Sequence, residues 1–177
     1  QSALIRSGIK GDKVDEVIMG NVLAAGEGQA PARQAAIFAG LPNTVECMTI
    51  NKVCGSGMKS VMLADQAIRC GDAKIVIAGG MENMSQAPYY LLDSRNGMRL
   101  GHNKALDSII LDGLWDPYNN IHMGSCAEIL AEENIYTRED QDAFATESYR
   151  RSLKAINEGL FDNEITPIEI PQRKGDV

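Results

Sequence analysis

The 177 residues carry 24 acidic against 17 basic side chains, a net charge of −7, and so lack the broad basic face that general binding to nucleic acid or an anionic membrane needs. A hydrophobic content of 44% with few aromatics suits a chain that folds around a core, of a size for one domain plus an attached piece. No stretch reaches the roughly 18 consecutive apolar residues of a membrane-spanning helix, and Cys47, Cys54, Cys70 and Cys126 are too scattered for a disulfide framework or a zinc site.

Reduced thiols in a cytoplasmic setting are therefore expected. A mitochondrial or other organellar source stays open, because the sequence opens without Met, inside what reads as the end of a helix from Gln1 to Ser7 stopped at Gly8. The run Glu16 to Leu23, short and rich in β-branched residues, predicts a buried strand. Pro31 then sits at the first position of a helix that Gly40 and Pro42 stop. A second extended run covers Glu46 to Val53, and a helix follows from the glycines at 55 and 57 to Cys70, closed by Gly71. Its polar residues Lys59, Asp65, Gln66 and Arg69 occupy about a third of the wheel, so most of this helix is expected to be buried. Lys74 to Ala78, apolar without alternation, reads as a central strand with both faces covered. Strand, helix, strand, helix, strand predicts an α/β fold with a largely parallel or mixed sheet.

After Gly79-Gly80 the pattern loosens. Ser85 to Tyr118 reads as a long irregular segment, of a kind that is usually functional or an interaction surface. Two helices are expected beyond it, one started by a capping box of Ser125 with Glu128, the other by Thr137 with Asp140, ending at Gly159.

Cys54 stands where an apolar strand meets a helix, followed by glycines at 55 and 57 that let backbone and ligand approach closely. A thiol in the first turn of a helix feels unpaired N–H groups and the positive end of the dipole, which lower its pKa from about 8.5 and favour thiolate. The same N–H groups suit a developing oxyanion, and a thiolate is a nucleophile that a thioester can acylate. A strand, turn and helix with a cysteine is also a common place for a structural thiol, and the spacing alone does not separate the two. Cys47, Cys70 and Cys126 read as packing thiols, and Met58, Met62, Met81 and Met84 as core fillers.

The segment NKVCGSGMKSVMLADQAIRCGDAKIVIAGGMENMS, residues 51–85, resembles the nucleophile segment of the thiolases almost residue for residue. DEVIMGNVLAAGEGQAPARQAAIFAGLP upstream, with HMGSCAEILAEENIYTREDQDAFATESYRRS and PIEIPQRKGDV downstream, is similar to the same family, so the likeness covers essentially the whole chain. It implies a thiolase-like α/β fold: residues 1–84 as the N-terminal half-domain lacking its first strand, its mixed sheet covered by helices, and residues 85–177 as part of the loop domain that binds coenzyme A and assembles tetramers. The C-terminal half-domain would be absent.

By position, the resemblance makes Cys54 the acylated nucleophile, with its backbone N–H one donor of the oxyanion hole. It sets His122, Met123 and Leu114 beside the pantetheine arm of coenzyme A; on its own, His122 reads as a structural or surface histidine. The implied reaction is condensation of two acetyl-CoA to acetoacetyl-CoA, and the reverse thiolysis, through an acetyl-Cys54 intermediate. Coenzyme A thioesters serve as substrates and no cofactor or metal is expected; the full-length protein is expected to be a homodimer or homotetramer. The HMG run points to the short-chain, biosynthetic type. The alternatives are a degradative 3-ketoacyl-CoA thiolase and a non-catalytic fragment that only associates. The Gly-His-Pro, Cys-x-Gly and Asn-Glu-Ala-His motifs that carry the family's base, proton exchange and water do not occur in these residues, so negligible turnover is expected of this chain alone. Arg95, Arg99 and Lys104 fall in the segment that packs the family's tetramers.

Overall fold

The β-branched run after Asp15 forms strand β1, Glu16–Gly20, in a computed structural model that describes residues 1–170. These divide into two compact units, Gln1–Met123 and a second from Gly124 onward. In the first, β1 lies between β2 (Glu46–Ile50) and β3 (Val76–Gly80), and both pairings are parallel and in step, Glu16 facing Glu46 on one side and Val76 on the other. Neighbours along a strand point to opposite faces, and Val17 and Ile18 are 3% and 1% exposed. Both faces of β1 are therefore covered.

The short helix α1 (Ser2–Ser7) ends at Gly8, in the left-handed region as the glycine stop predicts. On one face of the sheet, α2 (Pro31–Phe38) packs against β1 and β2, and Val14, Val17, Ala36, Leu41 and Val45 form one buried cluster. On β1 and β3 lies α3 (Ser56–Cys70), whose last carbonyls are closed by Gly71 at φ 83°.

Two expectations for this region are corrected. The apolar run near residue 75 is an edge strand, not a central one, and it is shifted. Asp15 Oδ2 accepts from Lys74 N at 2.7 Å and Ile75 N at 2.9 Å, so these amides are held by a side chain and the ladder starts at Val76. Nor is α3 mostly buried. Its buried positions are Ser56, Ser60 and Ala64, four residues apart, while Met58, Val61, Met62 and Ile68 are exposed. The sheet receives the stripe of small residues, which lets the backbones come close, and the larger apolar side chains point away from it.

The irregular stretch contains two short antiparallel ladders. Strand β4 (Tyr89–Tyr90) pairs with β5 (Leu106–Asp107), and β6 (Trp115–Asp116) pairs with β7 (Ile121–His122). Between β5 and β6 runs a π-helical turn, Ile109–Leu114, a conformation often found at functional sites. Cys70 is exposed, and Cys47 and Cys126 are half-buried, so the expectation of packed thiols fails at Cys70, the last residue of α3. Met58, Met62 and Met84 are likewise exposed rather than core fillers.

Helix α4 (Met123–Glu133) begins directly after β7, which leaves Ser125 and Glu128 inside the helix and no room for the expected capping box. In the second unit, α5 (Arg138–Asn157) has the expected one: Thr137 Oγ1 accepts from Asp140 N at 3.1 Å, and the Asp140 carboxylate accepts from Thr137 N at 3.0 Å. Glu147 on α5 accepts from Arg150 and Arg151, which brings its carboxyl from 4.5 down to about 2. A carboxyl lowered in the folded state adds stability that is complete above about pH 4.5 and lost as the pH falls toward 2. A Glu147→Gln chain is accordingly expected to lose less helicity than the parent between those values, as followed by circular dichroism. Residues 171–177, the end of the PIEIPQRKGDV run, lie outside the described residues. Among the described residues no helix is long and apolar enough to cross a membrane.

Candidate active site

Beyond the C-terminal end of β2 the chain makes a tight turn before it enters α3, and the residues of that turn hold one another. Asn51 Oδ1 accepts from Val53 N at 2.9 Å. Ser56 Oγ accepts from Lys52 N at 2.8 Å and donates to Val53 O at 2.6 Å, from a side chain 4% exposed. Gly55 N and Ser56 N donate back to Lys52 O and Val53 O. Within this cage Val53 takes φ 47°, a left-handed conformation that is strained for a β-branched residue and persists only where its surroundings determine it.

Cys54 is the next residue, exposed, with Gly55 as the cap of α3. It therefore stands one residue before the cap rather than in the first turn: the expected position is corrected by the length of the turn, which uses Gly55 to enter the helix. Loss of the Ser56 hydroxyl would leave the Lys52 N–H and the Val53 carbonyl without this partner. We expect Ser56→Ala to cost about 0.5–1.5 kcal/mol, the usual net worth of an intramolecular hydrogen bond, measured by urea denaturation.

Three glycines bring the strand ends against the start of α3. A Cβ on Gly20 would lie 2.5 Å from the Ser56 carbonyl carbon and 2.6 Å from Gly57 N, and one on Gly80 would lie 3.3 Å from Gly57 Cα. Ser60, fully buried on the same face of α3, has its hydroxyl within 2.7 Å of Gly57 O and 2.6 Å of Gly79 O. It joins the helix to the C-terminal end of β3. The Cys54 turn is thus seated on the C-terminal ends of parallel strands, where open α/β sheets bind their ligands.

A cleft of about 450 Å³ opens there. Its walls include Gly20, Val22 and Leu23 from the exit of β1, Val53, Cys54, Ser56 and Gly57 from the turn, Gly80, Met81, Glu82 and Met84 after β3, and Ile109, Gly113 and Leu114 from the π-helical turn. It is mostly apolar, with one thiol, one hydroxyl and one carboxylate. Leu114 shares the cleft with Cys54. His122, half-buried and opposite Trp115 in the β6–β7 ladder, and Met123, at the start of α4, are not among the residues that line it.

Sequence reasoning passed over Ser56, Glu82 and Ile109, and took Met81 and Met84 for core. Glu82 had a signal: a carboxylate directly after the two glycines that end a strand. Ile109 had none, because only the fold of the loop brings it to the cleft. Beside the cleft, Asn21 Oδ1, at 2% exposure, has no hydrogen-bond partner among the described residues. No group of three or more His, Cys, Asp or Glu side chains able to hold a metal ion occurs among them either.

Residues 1–177 match the family described as "Thiolase, N-terminal domain". The chain is 58% identical over 173 residues to an acetyl-CoA acetyltransferase of Pseudomonas aeruginosa, covering 98% of this chain and 44% of that protein. It is 60% identical over 176 residues to an acetyl-CoA acetyltransferase of Cupriavidus necator, covering 99% and 45%. A crystal structure of a thiolase from Ascaris suum in complex with coenzyme A superposes with a TM-score of 0.90 at 42% identity, over 94% of this chain and 43% of that one. The chain spans less than half the length of the curated relatives it matches. With a family match over every residue and the fold of a solved thiolase, it belongs to the thiolase family, in that family's N-terminal domain.

Proposed function

We propose that Cys54 accepts an acetyl group from acetyl-CoA and passes it to the α-carbon of a second acetyl-CoA, so that the whole protein is a short-chain thiolase making acetoacetyl-CoA and CoA, or running the reverse thiolysis. The observation that carries this is an exposed thiol on a strained, internally bonded turn, at the mouth of an apolar cleft on the C-terminal ends of parallel strands. In the first half, the Cys54 thiolate attacks the thioester carbonyl, the carbonyl carbon–CoA sulfur bond breaks, and CoA leaves as thiolate. The backbone N–H of Cys54 serves as one oxyanion donor. In the second, the enolate of another acetyl-CoA attacks acetyl-Cys54, the carbon–sulfur bond breaks, and the Cys54 thiolate returns. The α-proton goes to groups that these 177 residues do not supply.

Leu114, in the cleft wall, belongs beside the pantetheine arm on this reading, with His122 and Met123 further along it. The relatives named acetyl-CoA acetyltransferase support the short-chain assignment. A homodimer or homotetramer working in the cytoplasm is part of the same proposal, and the exposed row Met58, Val61, Met62 and Ile68 on α3 is apolar surface of the kind that assembly covers. The test is to incubate the chain with acetyl-CoA and map the modified peptide by mass spectrometry. Acetyl on Cys54 as a hydroxylamine-labile thioester, formed slowly without the family's base, is the expected result; acetyl only on lysines or on another cysteine, or a Cys54 that iodoacetamide does not alkylate, would overturn it.

A further inference from the structure

We propose that Glu82 is a positioning residue that sets the width of the Cys54 cleft, and hence the fit of the acyl part of a coenzyme A thioester; the proposal rests on Cys54 being the acylated thiol. Glu82 follows the last strand residue of β3 by two positions. Its carboxylate accepts from Val22 N and Leu23 N, each at 2.9 Å, and from Asn21 Nδ2 at 3.2 Å. The amide of Asn21 also donates to Met81 O at 3.2 Å, from a side chain 2% exposed. All three donors to Glu82 belong to the residues that leave β1. One side chain thus ties the exit of the central strand to the exit of the edge strand through three hydrogen bonds.

Leu23 carries the constraint across the cleft. It is 4% exposed and lines the cleft itself, and its Cδ2 lies 3.6 Å from where a Cβ on Gly113 would stand, which places it near the π-helical turn. That turn ends at Leu114, the wall that shares the cleft with Cys54. The path runs from the Glu82 carboxylate to the Leu23 backbone and so to the Leu23 side chain, which lines the cleft together with Gly113 and Leu114. If the clamp loosens, Leu23 shifts and the wall behind it follows. A thioester carbonyl must sit about 3–3.5 Å from the attacking sulfur, and a misplacement of about 1 Å from a change outside the chemistry is enough to slow such a reaction markedly. The Cys54 turn makes no bond to Glu82, but Asn51 Nδ2 donates to Val22 O at 3.5 Å and Glu82 itself lines the cleft, so the clamp reaches the site through the turn as well as through the wall.

The test uses Glu82→Gln, which keeps the length of the side chain and removes its charge, with three readouts. Trp115, the only tryptophan and the residue after Leu114, reports the wall through quenching by acrylamide. Acetylation of Cys54 against acetyl-CoA concentration gives a half-saturation and a limiting rate. Alkylation by iodoacetamide, too small to need the wall, reports the thiol itself. We expect the ratio of limiting rate to half-saturation to fall on the order of tenfold, Trp115 to be quenched more, and alkylation to stay near wild type. Leu23→Val, which leaves the clamp intact and shortens the strut, should move acetylation and quenching in the same direction and covers the case in which the Glu82 variant fails to fold. Quenching and acetylation equal to wild type in the folded variants overturn the proposal. Should even the unaltered chain resist acetylation while being alkylated, as the absence of the family's base motif from these residues allows, Trp115 decides alone: greater quenching in the variants upholds the strut, unchanged quenching removes it.

Discussion

Exchange of Cys54 for alanine is expected to bring acetyl incorporation from acetyl-CoA down to background and to leave the fold intact. Cys54 is exposed, so the change removes a sulfur from the surface and none from the core. Surface substitutions of this kind stay within about 0.5 kcal/mol, which for a chain of this size is a shift of about 2 °C or less in thermal midpoint. The chain also offers an internal control. Cys70 is exposed too, but at the far end of α3, and it does not line the cleft. If acylation required only an accessible thiol, Cys54→Ala would keep about half of it and Cys70→Ala would lose the rest. If it requires the turn and the cleft, Cys54→Ala loses all of it and Cys70→Ala none. Intact mass after incubation with acetyl-CoA separates the two, and retained acetylation in Cys54→Ala would place the nucleophile elsewhere.

The second large effect is expected at Gly20. Its added methyl would stand 2.5 Å from the Ser56 carbonyl carbon and 2.6 Å from both Gly57 N and Ser56 Cβ. These are backbone atoms or atoms bonded to it, so no rotamer change relieves the contact. Either the end of β1 or the start of α3 has to move. Overpacking of a tight core typically costs about 1–3 kcal/mol, and the rigid neighbours put Gly20→Ala at the upper end, about 3 kcal/mol, or a drop of roughly 6–12 °C in midpoint. Gly79→Ala is the matched control: its methyl would meet Met19 Cε at 3.7 Å and Sδ at 3.8 Å, ordinary contact with a flexible side chain, and should change stability little. Because Gly20, Ser56 and Gly57 all line the cleft, Gly20→Ala should also slow Cys54 acetylation at temperatures where it stays folded. Equal urea midpoints for the two alanine variants would show that the close seat of α3 on β1 is wrong.

What the sequence determined by itself is what depends on neighbours along the chain. The left-handed glycines at 8 and 71, proline opening α2, the capping box of Thr137 with Asp140 and the starts of the first two strands are each decided by a few consecutive residues, and each appears where the pattern calls for it. The family was legible for the same reason, since the likeness is carried by long uninterrupted segments such as residues 51–85. The strand–helix junction that carries Cys54 was legible too, while the exposure of its thiol is a finding of the structure.

Only the tertiary structure decided which strand is central, which face of α3 meets the sheet, and what stands around Cys54. An apolar run looks the same in a central or an edge strand; Asp15, sixty residues away, takes up the amides that start β3 late. An apolar helix face says that something is to be covered and not by what, and here the sheet takes Ser56, Ser60 and Ala64 and leaves the larger side chains outside. The strain at Val53 and the length of the turn before α3 arise from bonds made by Asn51 and Ser56 at once. The cleft joins segments near residues 20, 54, 82 and 113; Glu82 reaches it because parallel strands place their ends side by side however far apart they lie along the chain, and Leu114 because the fold of the loop brings the π-helical turn there.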